Sequence, residues 1–198
     1  MITALACVAI LGSSVQDKID FQLGWKLGDK FTYIVGMKTR SYDGDGLMTI
    51  TVTKADEKAF TVTWAEVAFS GDTSPLPAGS SSISKRGRLI GKSTGAVNLF
   101  LAQMHLPEEA VKVGEEFKVA YAFSDARIDL RGKLEKIDER KGKVAHFTFE
   151  GALTIPFVGA SELKQQSVFN ITRGLLVSSE WDMEGVGNIS LKLVEDDS

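Results

Sequence analysis

Histidine often serves as a general acid, a general base or a metal ligand near neutral pH, and this sequence has two of them. His105 follows an apolar run, and His146 alternates with Ala145 and Phe147, so it points away from their apolar face. The sequence has no His-x-His pair and no glutamate spaced with two histidines, as zinc sites typically have. We expect both histidines to be solvated rather than catalytic.

Two carboxylates, Asp182 and Glu184, alternate with Trp181 and Met183 and therefore share one face of a predicted strand. Glycoside hydrolysis requires a pair of carboxylates, so this spacing keeps an unrecognised hydrolase as one alternative function. A polar sheet face produces the same pattern and is the interpretation that we favour.

The run Asp43-Gly44-Asp45-Gly46 has the composition of a calcium-binding loop. Such a loop needs an oxygen ligand at its fifth position and a glutamate at its twelfth, where this chain has Leu47 and Lys54. We expect a hairpin turn there instead, because Asp and Gly suit tight turns. The sequence also lacks a Gly-x-Ser-x-Gly elbow and a phosphate-binding glycine loop. We therefore predict a non-enzymatic protein with no catalytic residues, no cofactor-binding residues and no metal ligands.

The composition predicts a globular protein of one domain or of two small ones. The 198 residues are 43% hydrophobic and 25% charged, so disorder of the whole chain is not expected. Lys and Arg number 23 against 26 Asp and Glu, and the net charge of -3 argues against a nucleic-acid partner.

The first 16 residues carry no charge, and all of the first eleven except Thr3 are apolar. Small residues follow at Gly12, Ser13 and Ser14, so the pattern predicts a secretory signal peptide at residues 1–16 with cleavage after Ser14. The run is too short for a standard membrane-spanning helix, and we expect no transmembrane span in the mature chain. No Lys or Arg precedes the run, and a buried N-terminal strand is the alternative. We expect export to the periplasm, the cell envelope or the outside of the cell.

The single cysteine, Cys7, lies within this apolar run and cannot form an internal disulfide. The preceding residues loosely match the box that directs lipid attachment in bacterial lipoproteins. The residues after Cys7 are apolar, however, where a lipid tether is polar. We expect an ordinary apolar cysteine rather than a lipidated one.

Most of the remaining chain alternates with a period of two residues, which is typical of half-buried β-strands. Three clear runs are Phe31, Tyr33, Val35 and Met37, then Met48, Ile50 and Val52, then Phe60, Val62 and Trp64. Short polar segments separate these runs, so the pattern predicts an antiparallel meander of hairpins. Val97 to Met104 is the best helix candidate, and it ends before Pro107, since the residue before proline avoids the helical conformation.

The pattern then recurs, with a spacing of 82 to 87 residues. Residues 26–31 (KLGDKF) match 112–117 (KVGEEF), 54–57 (KADE) match 136–139 (KIDE), and 86–90 (RGRLI) match 173–177 (RGLLV). We interpret this as a tandem duplication. Residues 17–104 form the first β repeat with a short helix at its end, and residues 105–198 form the second.

These elements predict an all-β fold with a minor α component. Neither repeat can bury its apolar face alone. The two copies therefore pack face to face as a β-sandwich or join edge to edge as a curved, barrel-like sheet, and the sequence leaves both closures open. We expect Trp25, Trp64 and Trp181 to line the interior.

Residues 106–117 (LPEEAVKVGEEF) and 171–179 (ITRGLLVSS) resemble a broad group of uncharacterised exported bacterial proteins. The resemblance covers most of the chain after the signal, and the group supplies no activity and no functional residues. The duplicated all-β design is more remotely similar to envelope lipid- and lipoprotein-carrier half-barrels. Helices plug the sheet in those folds, and only Val97 to Met104 can serve that role here.

The leading functional interpretation is a non-enzymatic exported bacterial β-protein that binds a hydrophobic ligand between its two copies. The expected partner is a hydrophobic small molecule or an envelope protein. A structural or protein-interaction envelope module, with a filled interior, is one alternative, and the hydrolase is the other. A ligand binder should have a pocket of roughly 300 Å³ or more.

Overall fold

The computed structural model describes residues 17–40, 42–70, 74–91, 97–139, 142–155 and 159–194, so the predicted signal peptide and Cys7 lie outside the described residues. Within these ranges the chain forms eleven β-strands, one α-helix and one 3-10 turn. The strands are β1 (Lys30–Thr39), β2 (Asp43–Ala55), β3 (Ala59–Trp64), β4 (Gly79–Ser84), β5 (Leu89–Ile90), β6 (Glu116–Phe123), β7 (Ala126–Asp138), β8 (Val144–Ile155), β9 (Gly159–Asn170), β10 (Leu175–Met183) and β11 (Gly187–Leu193). The helix is α1 (Val97–Leu101), and the 3-10 turn Ala102–Met104 follows it directly.

All eleven strands belong to one antiparallel sheet in the order β5-β4-β3-β2-β1-β11-β10-β9-β8-β7-β6. The first strand pairs with the last, Tyr33 opposite Leu193, and this pairing joins the first five strands to the last six. The two edge strands, β5 and β6, approach each other, and the Ser124 amide lies 3.2 Å from the Gly91 carbonyl oxygen. The sheet is therefore nearly closed into a barrel. The predicted all-β class is confirmed, and of the two closures the chain adopts the barrel-like one.

The inner face of the sheet is apolar because every second side chain of the strands points inward. In β1, Tyr33 and Val35 are fully buried, whereas Thr32 points outward and its hydroxyl lies 2.9 Å from that of Thr49 on β2. Trp25, Trp64 and Trp181 are all buried, as the sequence predicts.

The predicted hairpin turn at Asp43-Gly44-Asp45-Gly46 is wrong, because these residues form the start of β2 and pair with β1. The glycines permit close packing rather than a turn. A side chain at Gly46 would come within 2.6 Å of the Ala68 backbone oxygen, and one at Gly44 would overlap that of Ser70. A strand carries glycine where another backbone approaches closely, and here that backbone is the segment after β3.

Residues 97–106, here called the plug, cross the inside of the curved sheet and lie against β10 and β11. Phe100, Leu101 and Met104 have no exposed surface, and the predicted helix at Val97 to Met104 is confirmed. The chain becomes extended at His105, just before Leu106-Pro107. None of the helices that the described residues form has the length and apolar character needed to span a membrane.

The segment at residues 18–25 covers one end of the barrel. Phe21 is fully buried, and its ring packs edge-on against that of Phe147, with 5.0 Å between centroids. The backbone amide of Leu23 donates to Lys85, and that of Gly24 donates to Gly174. This segment therefore ties together the turn before β5 and the turn before β10.

We predict that Gly87→Ala destabilises the protein more than Gly91→Ala does. Both glycines have positive φ, 74° and 83°, so alanine carries the left-handed strain of about 1–2 kcal/mol at either position. A methyl group on Gly87 would also overlap the Met104 backbone oxygen at the end of the plug, whereas Gly91 has no atom within 4 Å. Urea unfolding followed by tryptophan fluorescence should show an extra loss of about 1–3 kcal/mol for Gly87→Ala. Equal losses would contradict the close contact with the plug.

Candidate functional site

Six polar or amphipathic side chains meet inside the barrel, and we call them the interior polar cluster. All six are at most 5% exposed: Gln103, His105, Gln165, Ser167, Ser179 and Trp181. Buried polar groups in proteins are normally hydrogen-bonded, so a cluster of them in an apolar interior needs an explanation.

Strand register brings four of these residues together. Gln165 and Ser167 lie on the inner face of β9, and they stand opposite Trp181 and Ser179 of β10. The plug supplies the other two members, Gln103 and His105, from the centre of the barrel. The cluster is therefore shared between two neighbouring strands and the segment that fills the sheet.

Gln165 is the hub of the cluster. Its Nε2 atom lies 3.0 Å from the backbone oxygen of Gln103, 2.6 Å from Ser167 Oγ and 3.0 Å from Ser179 Oγ. The Gln103 carbonyl can only accept a hydrogen bond, so it fixes the orientation of the Gln165 amide with the NH₂ group toward the plug. The Oε1 atom of Gln165 is left without a hydrogen-bond partner.

His105 is buried, so the expectation that it is solvated is wrong. Its Nδ1 lies 2.8 Å from the Ala102 carbonyl oxygen and must carry the proton, which leaves Nε2 as an acceptor with no partner. Its ring packs edge-on against that of Phe149, with 4.7 Å between centroids. Burial is the main cause that lowers the pKa of His105 to about 4, against the opposing effects of its hydrogen bond to Ala102 and of the neighbouring Gln165 side chain. The imidazole is therefore neutral at pH 7.

Five buried atoms of the cluster make no hydrogen bond. Three are acceptors, namely His105 Nε2, Gln103 Oε1 and Gln165 Oε1, and two are donors, namely Gln103 Nε2 and Trp181 Nε1. An unsatisfied buried polar group costs about 1–3 kcal/mol. Atoms of this kind in a barrel interior can bond to internal water or to a polar group from outside the chain.

A second polar contact holds the beginning of the plug. Ser81, on the inner face of β4, donates to Asn98 Oδ1 at 2.8 Å, and both residues are buried. The plug is thus held by hydrogen bonds near both of its ends, to β4 through Asn98 and to β9 through the Gln103 backbone.

A hollow of about 570 Å³ lies where the barrel fails to close, beside β5 and β6, and we call it the seam hollow. Its lining includes Arg86, Arg88, Glu108 and Tyr121. Arg88 pairs with Glu108, and its guanidinium lies over the Tyr121 ring, 5.8 Å from the centroid. The Tyr121 hydroxyl donates to the same Ala102 oxygen that His105 contacts, at 3.2 Å. The seam hollow therefore lies one side chain away from the interior polar cluster.

The other sequence-selected residues lie elsewhere. His146 points outward as predicted and lines an outer groove of about 400 Å³ with Glu135 and Gln166. Burial, followed by the charge of Lys136, lowers the pKa of His146. Asp182 is exposed on the outer face of β10, and Glu184 is exposed in the turn after that strand. The structure does not bring His105 together with these outward-facing groups.

No three His, Cys, Asp or Glu side chains are grouped to hold a metal ion within the ranges that the structure describes. The sequence reasoning missed Gln103, Gln165, Ser167 and Ser179. The sequence does carry a signal for two of them, because Gln165 and Ser167 fall in phase with Leu163 and Phe169 on an apolar face. Polar residues in such positions are unusual and mark a candidate interior site.

Comparison of the chain with protein-family models, with curated proteins and with solved structures gives no significant match.

We predict that His105 makes the protein less stable as the pH falls from 6.5 to about 4. Over this range the unfolded chain binds a proton at the imidazole and the folded chain does not, so the free energy of unfolding decreases with falling pH. The shift corresponds to about 3 kcal/mol. In His105→Gln this part of the pH dependence should disappear, as measured by urea unfolding at several pH values.

His146→Gln is the matched control, because His146 is only partly buried. It should retain most of the wild-type pH dependence. If His105→Gln and the wild type lose stability in parallel between pH 6.5 and 4, His105 is not buried in the neutral form.

Proposed function

We propose that this chain is an exported, non-enzymatic protein that binds a hydrophobic small molecule inside its barrel. The observation that carries the proposal is the plug. The chain folds its own short segment into the centre of a nearly closed sheet, which is where barrels of similar design hold a small ligand. In this proposal the helical part of the plug, Val97–Leu101, occupies the ligand site in the unliganded protein and moves when a ligand enters, whereas residues 102–106 keep their position.

The plug is suited to displacement because its conformation depends on the sheet around it. Its helix has five residues, far fewer than the roughly 12 to 15 that an isolated helix needs to be even marginally stable in water. The apolar surface that Phe100 and Leu101 cover is the surface that a hydrophobic ligand would cover instead. Such an exchange conserves most of the buried apolar area, and therefore most of the stabilisation.

The gap between β5 and β6 is the proposed entry route for the ligand. Strand β5 has only two residues, so little of β6 has a neighbour on that side. The seam hollow, about 570 Å³, is an open depression that is wide enough for a small molecule to approach the barrel. Its wall includes Tyr121, which contacts the plug through Ala102. A ligand entering beside Tyr121 would meet the plug first.

Export is proposed from the uncharged apolar pattern of residues 1–16 and from the resemblance to exported bacterial proteins. The periplasm, the envelope and the outside of the cell all fit this pattern. Expression in a secreting bacterial host, followed by intact-mass measurement, tests it. A mass that lacks about the first 14 residues supports export, and a full-length mass in the cytoplasm contradicts it.

We also propose that the sheet arose by tandem duplication. Repeated hydrogen bonds support this proposal. Before β1, the Gly28 amide donates to Val52 at 2.9 Å, and before β6 the Gly114 amide donates to Leu134 at 2.7 Å. A register shift follows directly after both Val52 and Leu134. Gly28 and Gly114 have nearly the same φ, 89° and 83°.

We predict that Phe100→Leu increases the affinity for a hydrophobic fluorescent probe, N-phenyl-1-naphthylamine, and that Phe169→Leu does not. Both rings are at most 1% exposed, but only Phe100 belongs to the plug. The smaller side chain weakens the plug as a competitor for the site, so we expect about three- to tenfold tighter binding for a loss of about 1 kcal/mol. Probe titration at neutral pH measures this effect, with urea unfolding to confirm that both variants are folded.

Hydrogen exchange locates the bound probe. Binding inside the barrel should speed amide exchange in the plug helix, Val97–Leu101, and slow it in β9 and β10. A probe that fails to bind the wild type and both variants would refute ligand binding and would favour the structural or protein-interaction module. Binding that leaves exchange in the plug unchanged would place the probe on the outer surface and would also contradict the proposal.

A further inference from the structure

We infer that the interior polar cluster selects the polar end of the ligand, and that this end is an uncharged group that both donates and accepts hydrogen bonds. An alcohol hydroxyl is the simplest group of this kind. The inference rests on the proposed function, since it names the class of molecule that the barrel takes.

The number and type of the buried cluster atoms without a hydrogen-bond partner indicate which head group fits the cluster. The cluster offers three acceptors, on His105, Gln103 and Gln165, and two donors, on Gln103 and Trp181. A hydroxyl supplies one hydrogen and two lone pairs, so it can donate to one acceptor and accept from both donors. A group that only accepts would leave all three acceptors without a hydrogen, whereas a hydroxyl donates to one of them and so engages three of the five atoms. A purely apolar end would satisfy none of the five atoms.

The charge of the surroundings excludes an ionised head group. Among the described residues, no Asp, Glu, Lys or Arg is buried, so none provides a counter-ion inside the barrel. His105 is neutral at pH 7, and its proton is already used in the hydrogen bond to Ala102. An isolated charge in such a place is strongly disfavoured. The arginines of the seam hollow lie outside the barrel interior, where Arg86 pairs with Asp20 at 2.7 Å and Arg88 pairs with Glu108.

The surroundings also set the direction of the ligand. Gln165 and Trp181 stand opposite each other on β9 and β10, while Phe149 lies opposite Gln165 on β8. The head group would lie on this polar patch, with its first carbons between aromatic rings. The apolar tail would then follow the volume that Phe100 and Leu101 fill in the unliganded chain.

The test compares ligands that share a ten-carbon chain and differ only in the head group. 1-Decanol, decanoate and decyltrimethylammonium compete with N-phenyl-1-naphthylamine for the full-length protein at pH 7, below their micelle-forming concentrations. We expect 1-decanol to bind at least about tenfold more tightly than either ion, because a desolvated charge has no partner in the cluster.

Two variants tie this preference to the cluster. Trp181→Phe removes the indole N–H, and Gln165→Met removes the amide but keeps the length of the side chain. Each should weaken 1-decanol binding about three- to tenfold relative to the binding of the naphthylamine probe by the same variant. Gln166→Met is the matched control, since Gln166 is the exposed neighbour on the outer face of β9 and should not affect either ligand. Trp181→Phe keeps the test decisive if Gln165→Met fails to fold.

The outcomes separate the two proposals. If the wild type binds neither the probe nor any ten-carbon ligand, the proposed function fails. If the probe binds but 1-decanol shows no advantage over the ions, the proposed function stands and the head-group inference is overturned. Equal losses of 1-decanol affinity in Gln165→Met and Gln166→Met would overturn it as well. In those cases the five free atoms serve internal water rather than a ligand.

Discussion

The structure depends on one constraint: a single curved sheet has an apolar concave face, and that face has no second sheet to cover it. The eleven strands curl until β5 and β6 nearly meet, and the residues that remain must fill the space inside. The plug does so with fully buried side chains such as Phe100 and Met104. Residues 18–25 cover one end, so two short segments complete a core that the sheet alone leaves open.

Covering an apolar face with a backbone segment introduces polar groups into the interior. Side chains on the inner face of the sheet form hydrogen bonds with some of these polar groups. Ser81 donates to the Asn98 side chain, and Gln165 donates to the Gln103 backbone oxygen. The first of these contacts holds the beginning of the plug. The second belongs to a larger set in which His105 and Trp181 retain free atoms.

Local patterns predicted much of this fold, and contacts between distant residues account for the rest. Alternation identified strands such as β1 and β3, and the apolar run before Pro107 identified the plug helix. Gly44 and Gly46 led to the wrong prediction of a turn. These glycines instead permit close packing against the segment that follows β3. Burial of His105 was not predictable from its neighbours, since it follows from the plug lying inside the barrel.

The pairing of β1 with β11 has a consequence for how the chain acquires its shape. Residues near the start of the fold, such as Tyr33, find their partners only at Leu193 and its neighbours. Contacts between such distant residues slow folding because a long loop must close first. During synthesis, β1 exposes an unpaired edge until the last strand emerges, and unpaired edges promote association between chains. The protein therefore has a built-in delay between making its first strand and completing its sheet.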